Sequence, residues 1–125
     1  MTKWVLTLAA IYMAIIGLAL MLAPLKFGVG AVPADASSQL LALMRLLGGP
    51  FLGIAVLNWL TRSAEHSPTL RAILAANLIG FGAVAANDVH GVLTGEAREI
   101  AKLFLLVHLA FTAAFALALF RRAQR

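Results

Sequence analysis

The chain is organised around the stretch Leu70-Arg-Ala-Ile-Leu-Ala-Ala-Asn-Leu-Ile-Gly-Phe-Gly-Ala-Val-Ala-Ala-Asn-Asp-Val-His-Gly91. It has the length and apolar content of a transmembrane helix, because about 20 residues of helix cross a bilayer core of about 30 Å. Several residues recur at steps of three and four and share one helical stripe: Asn77, Gly80, Val84, Asn87 and Gly91. Such a polar, small-residue stripe should face protein rather than lipid.

The composition of the whole chain is that of a membrane protein. Of its 125 residues, 62% are hydrophobic and 12% are charged, whereas soluble domains have about 45–50% apolar and about 25% charged residues. Four apolar runs of spanning length lie near residues 4–23, 39–60, 70–91 and 98–120, which leaves no room for a separate soluble domain. We therefore predict an all-α protein consisting of a single domain, an integral membrane bundle of four transmembrane helices.

The net charge of +5 is distributed at the ends of the apolar runs rather than on one soluble face, so it predicts topology and not nucleic-acid binding. One side of the predicted bundle carries Lys3, Arg62, Arg71, Arg121, Arg122 and Arg125, and the other carries Lys26, Arg98 and Lys102. By the positive-inside rule both termini are cytoplasmic, as expected of a multi-pass protein of the bacterial cytoplasmic (inner) membrane. The first run resembles a signal peptide, but its length and Pro24 favour a retained span.

Glycine and asparagine positions predict where the helices pack. Gly49 and Gly53 form a small-xxx-small pair that would let two helix backbones approach closely, and we assign Asn77 and Gly80 to helix packing as well. Pro50 should kink its helix or leave one backbone carbonyl without its helical hydrogen bond. The loop before that helix offers Asp35, Ser37 or Ser38 as its N-terminal cap.

Four polar residues predict a cluster in the outer half of the bilayer: Arg45, Asn87, Asp88 and His108. At roughly 1.5 Å per residue, Arg45 lies about 9 Å inward from Gln39, Asp88 about 5 Å below Gly91, and His108 about 15 Å inward from Arg98. Buried ionisable groups in membranes are costly and often functional, so one interpretation is an anionic-ligand or proton-handling site. The alternatives are an ion pair between Arg45 and Asp88 that locks two helices, or an Arg45 side chain that snorkels outward.

No cofactor and no catalytic residue is predicted. The absence of cysteine removes disulfides, thiolate metal sites and cysteine nucleophiles. Bis-histidine haem ligation by His90 and His108 is disfavoured because their depths differ by about 10 Å. A metal held by Asp88, His90 and His108 would rest only on an Asp-x-His spacing, which is a weak signal.

The second apolar run contains the segment Met44-Arg-Leu-Leu-Gly-Gly-Pro-Phe-Leu-Gly-Ile-Ala-Val-Leu-Asn-Trp-Leu-Thr-Arg62, and the run from Arg71 to Gly82 follows it. Together these segments resemble small uncharacterised bacterial four-helix membrane proteins. The layout is also distantly similar to the DoxX-like group. The most specific part is Arg-Leu-Leu-Gly-Gly, beginning at Arg45. These proteins share no agreed activity, so the resemblance implies a fold and a location and no catalytic residue.

Two classes of function remain open at this point. The first is a non-catalytic accessory or scaffold subunit that packs against a larger membrane complex or against itself, which fits the minimal loops and the small-residue faces. The second is a binder or carrier of a small molecule, lipid or quinone, or a membrane enzyme, with its site between the second, third and fourth spans. The residues favour the first class over an enzyme, with the lipid bilayer as the surrounding partner.

Overall fold

The structure is a computed structural model that describes residues 1–121. The described chain is helical and contains no strand. Its helices are α1 (Thr2–Leu22), α2 (Pro24–Phe27), α3 (Ser38–Thr61), α4 (Pro68–Thr94) and α5 (Ala101–Phe120). All except the short α2 are long and apolar enough to cross a membrane, which confirms the predicted all-α, four-span architecture.

Local sequence signals explain where the helices begin and end. The Ser37 hydroxyl accepts a hydrogen bond from the Leu40 backbone N–H at 3.2 Å, so Ser37 is the cap of α3 among the three predicted candidates. Ser67 caps α4 in the same way through the Leu70 N–H at 3.1 Å, with Pro68 in the first turn where its missing N–H costs nothing. Gly95 ends α4 in the left-handed region at φ 74°, which favours glycine.

By internal contacts the chain forms two compact units. The glycine unit comprises Leu6–Arg62, and the hairpin unit comprises Met1–Val5 together with the chain from Ser63 onward. In the glycine unit, α3 passes through Pro50 as one continuous helix. In the hairpin unit, the six residues Gly95–Ile100 join α4 to α5, which pack against each other.

The glycine unit depends on a close approach of α1 and α3 at Gly17 and Gly48. A Cβ added to Gly48 would lie 2.6 Å from the Gly17 carbonyl oxygen and would also collide with Met21 Cγ. A Cβ added to Gly17 would lie 3.0 Å from the Gly48 carbonyl oxygen and 3.0 Å from Leu52 Cγ. Lipid tails are as apolar as the side chains, so close van der Waals packing of this kind drives helix association in membranes.

The predicted packing glycines on the same helix are in different surroundings. Gly49 and Gly53 are exposed, and no atom of the described residues lies within 4 Å of a Cβ added to either one. Gly48 and Gly49 are neighbours in sequence but point about 100° apart around the helix. The close contact within this unit is therefore made by Gly48, and a packing role for Gly49 and Gly53 stays a prediction.

Gly48→Ala should destabilise the protein, because the new methyl group has no space beside Gly17 and Met21. Overpacking of this kind costs about 1–3 kcal/mol. The matched control is Gly49→Ala, which adds the same methyl group in open space and should be neutral or stabilising. Thermal unfolding in mild detergent measures both, and equal melting temperatures for the two variants would contradict the packing assigned to Gly48.

Candidate functional site

The polar centre of the hairpin unit is a contact between Asp88 on α4 and His108 on α5. His108 Nδ1 lies 2.5 Å from Asp88 Oδ2, and the two side chains are only 11% and 15% exposed, respectively. With a proton on Nδ1, the imidazole donates a hydrogen bond to the carboxylate. The contact joins the two helices of the hairpin by a charge-assisted hydrogen bond in apolar surroundings, where such bonds are strong.

The positions of the helix ends bring these two side chains to one level. Asp88 lies six residues before the end of α4 at Thr94, and His108 lies seven residues after the start of α5 at Ala101. These separations correspond to depths of about 9 Å and about 10 Å. The sequence-based estimate put them at different levels, because it ended the third span at Gly91 and began the fourth at Arg98.

Aromatic rings surround the imidazole. The His108 ring lies 6.1 Å from the Phe81 ring in a tilted arrangement and 6.3 Å from the Phe104 ring in a stacked one. Phe81 also stacks on Phe111 at 4.6 Å and on Phe115 at 5.6 Å. The polar pair is thus embedded in aromatic contacts that hold the imidazole plane.

The Phe104 and Phe111 contacts were missed by the sequence interpretation. The signal was available, since Phe104, His108, Phe111 and Phe115 follow one another at steps of four, three and four along α5. One turn further on, the Thr112 hydroxyl donates to the His108 carbonyl at 2.7 Å. Thr112 also lies opposite Gly82, whose added Cβ would be 3.7 Å from the threonine methyl group.

His90 does not join this pair. Its Nε2 lies 4.0 Å from the Glu96 carboxylate, and both side chains are largely exposed, at 69% and 72%. Among the described residues, no three His, Cys, Asp or Glu side chains are grouped closely enough to hold a metal ion. The two residues of the Asp-x-His spacing therefore make separate contacts. Asp88 contacts His108 inside the hairpin, and His90 lies near Glu96 at its exposed end.

The other two members of the predicted cluster face outward. Arg45 lies on α3 in the glycine unit and is exposed, and Asn87 is exposed on α4. The contact that the structure describes for Asp88 is with His108. Pairing of Arg45 with Asp88 stays a prediction.

Asn77 and Asn87, the two asparagines of the predicted stripe on α4, differ in burial, since Asn87 is exposed. Asn77 is buried, and its side-chain amide donates to the Ile73 carbonyl at 2.9 Å. Gly80 is exposed, with no described atom within 4 Å of an added Cβ. Outside this stripe, Asn58 on α3 is also buried, and fully so. The stripe is therefore divided into buried and outward-facing residues.

Comparison of the chain with family models, with curated proteins and with solved structures gives no match.

Removing only one partner of the Asp88–His108 pair should destabilise the hairpin. Asp88→Leu leaves the buried imidazole N–H without its acceptor, and an unsatisfied buried donor costs about 1–3 kcal/mol. The double variant Asp88→Leu/His108→Leu should recover most of that loss, because it removes both polar groups. His90→Leu, at an exposed position, is the control and should have little effect.

Unfolding in mixed micelles with increasing sodium dodecyl sulfate measures these three variants and the single variant His108→Leu, which completes the double-mutant cycle. If the double variant were less stable than Asp88→Leu by the full cost of the second substitution, the two side chains would not be coupled.

Proposed function

We propose that this protein is a non-catalytic accessory or scaffold subunit of the bacterial cytoplasmic membrane that packs against a larger membrane complex or against itself. The observation that carries the proposal is an arginine exposed on a membrane-spanning helix. Arg45 lies seven residues into α3, at a depth of about 10 Å from the helix end. Within its own unit, no described residue forms an ion pair or hydrogen bond with it.

A charge at this depth needs either a polar protein partner or a lipid headgroup within reach of its side chain. Ionisable side chains within transmembrane helices almost always face the interior of a bundle or pair with another polar group. Arg45 is exposed and has no described partner in its own unit, so we propose that a helix of a second protein completes the bundle around it. Its guanidinium presents a planar fork of donors, so the matching group on that helix is a carboxylate.

The residues that follow Arg45 on the same side of α3 fit this interpretation. Gly49 and Gly53 come four and eight residues later, and both are exposed. Each glycine in a helix interior costs about 1 kcal/mol relative to alanine. Within a membrane this cost is offset when the missing side chains let another helix approach closely. We call the surface formed by Arg45, Gly49 and Gly53 the α3 face.

A second candidate function is a binder or carrier of a small molecule, lipid or quinone, or a membrane enzyme that acts on one. It is favoured by the Asp88–His108 pair, because a largely buried acid–base pair beside aromatic rings is a common feature of ligand sites. The contact with Asp88 engages one imidazole nitrogen and would orient the other toward a ligand carbonyl or hydroxyl. A lipid or pigment that copurifies with the wild-type protein but not with His108→Leu would favour this candidate.

Site-specific photocrosslinking in native membranes tests the α3 face. A photoreactive amino acid at Val56, which is exposed on the same side of α3, should give one adduct of defined mass. The same amino acid at Ile54, which is exposed at a similar depth but about 160° around the helix from Val56, is the matched control. Arg45→Leu should abolish the Val56 adduct, whereas Arg45→Lys should retain part of it because the charge remains.

Two results would oppose the proposal. One is the same smear of lipid adducts from both positions, and the other is a defined Val56 adduct whose yield does not change in Arg45→Leu. Mass spectrometry of the adduct identifies the partner.

The orientation proposed with this function places both termini in the cytoplasm. The charges that support it are Lys3, Arg62, Arg71 and the arginines at the C-terminus, which outnumber those on the opposite side. Fusion of a periplasm-dependent phosphatase to the C-terminus should be inactive, whereas fusion of green fluorescent protein there should fluoresce. An active phosphatase fusion would place the C-terminus outside the cytoplasm and would contradict the proposed orientation.

A further inference from the structure

Arg62 and Trp59 are in contact at the C-terminal end of α3. The Arg62 guanidinium carbon lies 3.7 Å from the centre of the Trp59 ring, and Nη1 donates a hydrogen bond to the Trp59 backbone carbonyl. Arg62 directly follows Thr61, the last residue of α3, and keeps helical backbone angles. The cation–π contact and the hydrogen bond together hold the guanidinium over the last turn of the helix.

This arrangement leaves most of the guanidinium donors available. A guanidinium has five N–H donors, and its attraction to an aromatic ring is electrostatic and uses none of them. Nη1 makes the bond to the Trp59 carbonyl, and the described residues of the glycine unit form no other hydrogen bond or ion pair with the Arg62 side chain. The remaining donors can bind two oxygen atoms of one anion in a fork.

The Trp59–Arg62 contact lies at the level of lipid headgroups in a membrane. The 24 residues of α3 are about 36 Å long, so a centred hydrocarbon core of about 30 Å stops about 3 Å short of each helix end. Trp59 is 45% exposed in the last turn, as is typical of tryptophan at a membrane–water interface. Phosphate oxygens of the surrounding lipids lie at this level.

The glycine unit supplies no carboxylate at this end of α3. Asp35 is the only acidic residue between positions 6 and 62, and it precedes the start of α3. The full length of the helix, about 36 Å, separates it from Arg62. Salt screens charges over about 8 Å, so Asp35 does not act as the counter-ion of Arg62. The anion that pairs with this guanidinium comes from outside the unit.

We infer that Trp59 and Arg62 form a binding site for the phosphate of an anionic phospholipid, such as phosphatidylglycerol. The guanidinium binds the phosphate oxygens, and the indole ring holds the guanidinium in place at the interface. A zwitterionic headgroup carries its own ammonium group, which competes with Arg62 for the phosphate, whereas phosphatidylglycerol has no such group. The site does not involve Arg45, so it is independent of the protein partner proposed above.

Quenching of Trp59 fluorescence by brominated lipids tests the site where it lies. The chain contains two tryptophans, and Trp4→Phe at an exposed position leaves Trp59 as the only one. In phosphatidylcholine bilayers, brominated phosphatidylglycerol should be enriched about five-fold at Trp59, because each basic residue near a lipid surface contributes attraction of that size. Equal quenching by brominated phosphatidylglycerol and brominated phosphatidylcholine would overturn the inference.

Two variants in the same Trp4→Phe background identify the residue responsible. Arg62→Gln should abolish the enrichment at Trp59. The matched control is Lys26→Gln, which also removes one exposed positive charge but lies before the start of α3, and it should leave the enrichment unchanged. Equal effects of the two substitutions, including none from either, would overturn the inference.

Further measurements separate lipid binding from the alternatives. A lower melting temperature of Arg62→Gln with unchanged enrichment would show that Arg62 only caps α3 and would overturn the inference. Arg62→Lys keeps the charge but not the fork, so it should retain only part of the enrichment, and full retention would refute pairing through the fork. Inorganic phosphate should reduce the enrichment no more than sodium chloride of equal ionic strength, and a larger reduction would assign the site to free phosphate instead of lipid.

Discussion

The structure depends on one constraint, which is that a polar side chain inside a bilayer has no water to bond with. Each such group must find its partner in protein or reach a headgroup. Asp88 and His108 meet this requirement within the hairpin, where they contact each other at 2.5 Å. Arg45 and Asn87 face outward from α3 and α4. The first pair joins the two helices of the hairpin, whereas we propose that Arg45 connects the protein to an assembly.

Packing in each unit follows from the same environment. Because lipid provides no hydrophobic driving force between helices, close approach and polar contacts must hold them together. In the glycine unit, Gly17 and Gly48 let the backbones of α1 and α3 come within contact distance. In the hairpin unit, Phe81 stacks on Phe111 beside the Asp88–His108 pair. A substitution that is harmless on a lipid-facing surface is therefore costly at either contact.

The sequence predicted four helices of spanning length and placed Ser37 among three candidate caps, because apolar length and capping chemistry are local properties. It assigned packing to Gly49 and did not identify Gly48, since two neighbours differ by about 100° in direction and the tertiary contact that involves Gly48 is not visible in the sequence. The predicted stripe grouped Asn77 with Asn87. These side chains point about 80° apart around α4, and Asn77 is buried whereas Asn87 is exposed. The level of His108 depended on where α5 begins, and a shift of three residues moves it by about 5 Å.

The most direct test of this account is the mass of the protein released from native membranes into the gas phase with its lipids. Each chain has a mass of 13.2 kDa. If the exposed Arg45 pairs with another protein chain, native mass spectrometry of the protein released directly from native membranes should show two copies of the chain or a larger complex that contains it. A single chain of 13.2 kDa as the only species, at the protein density of the native membrane, would contradict the account.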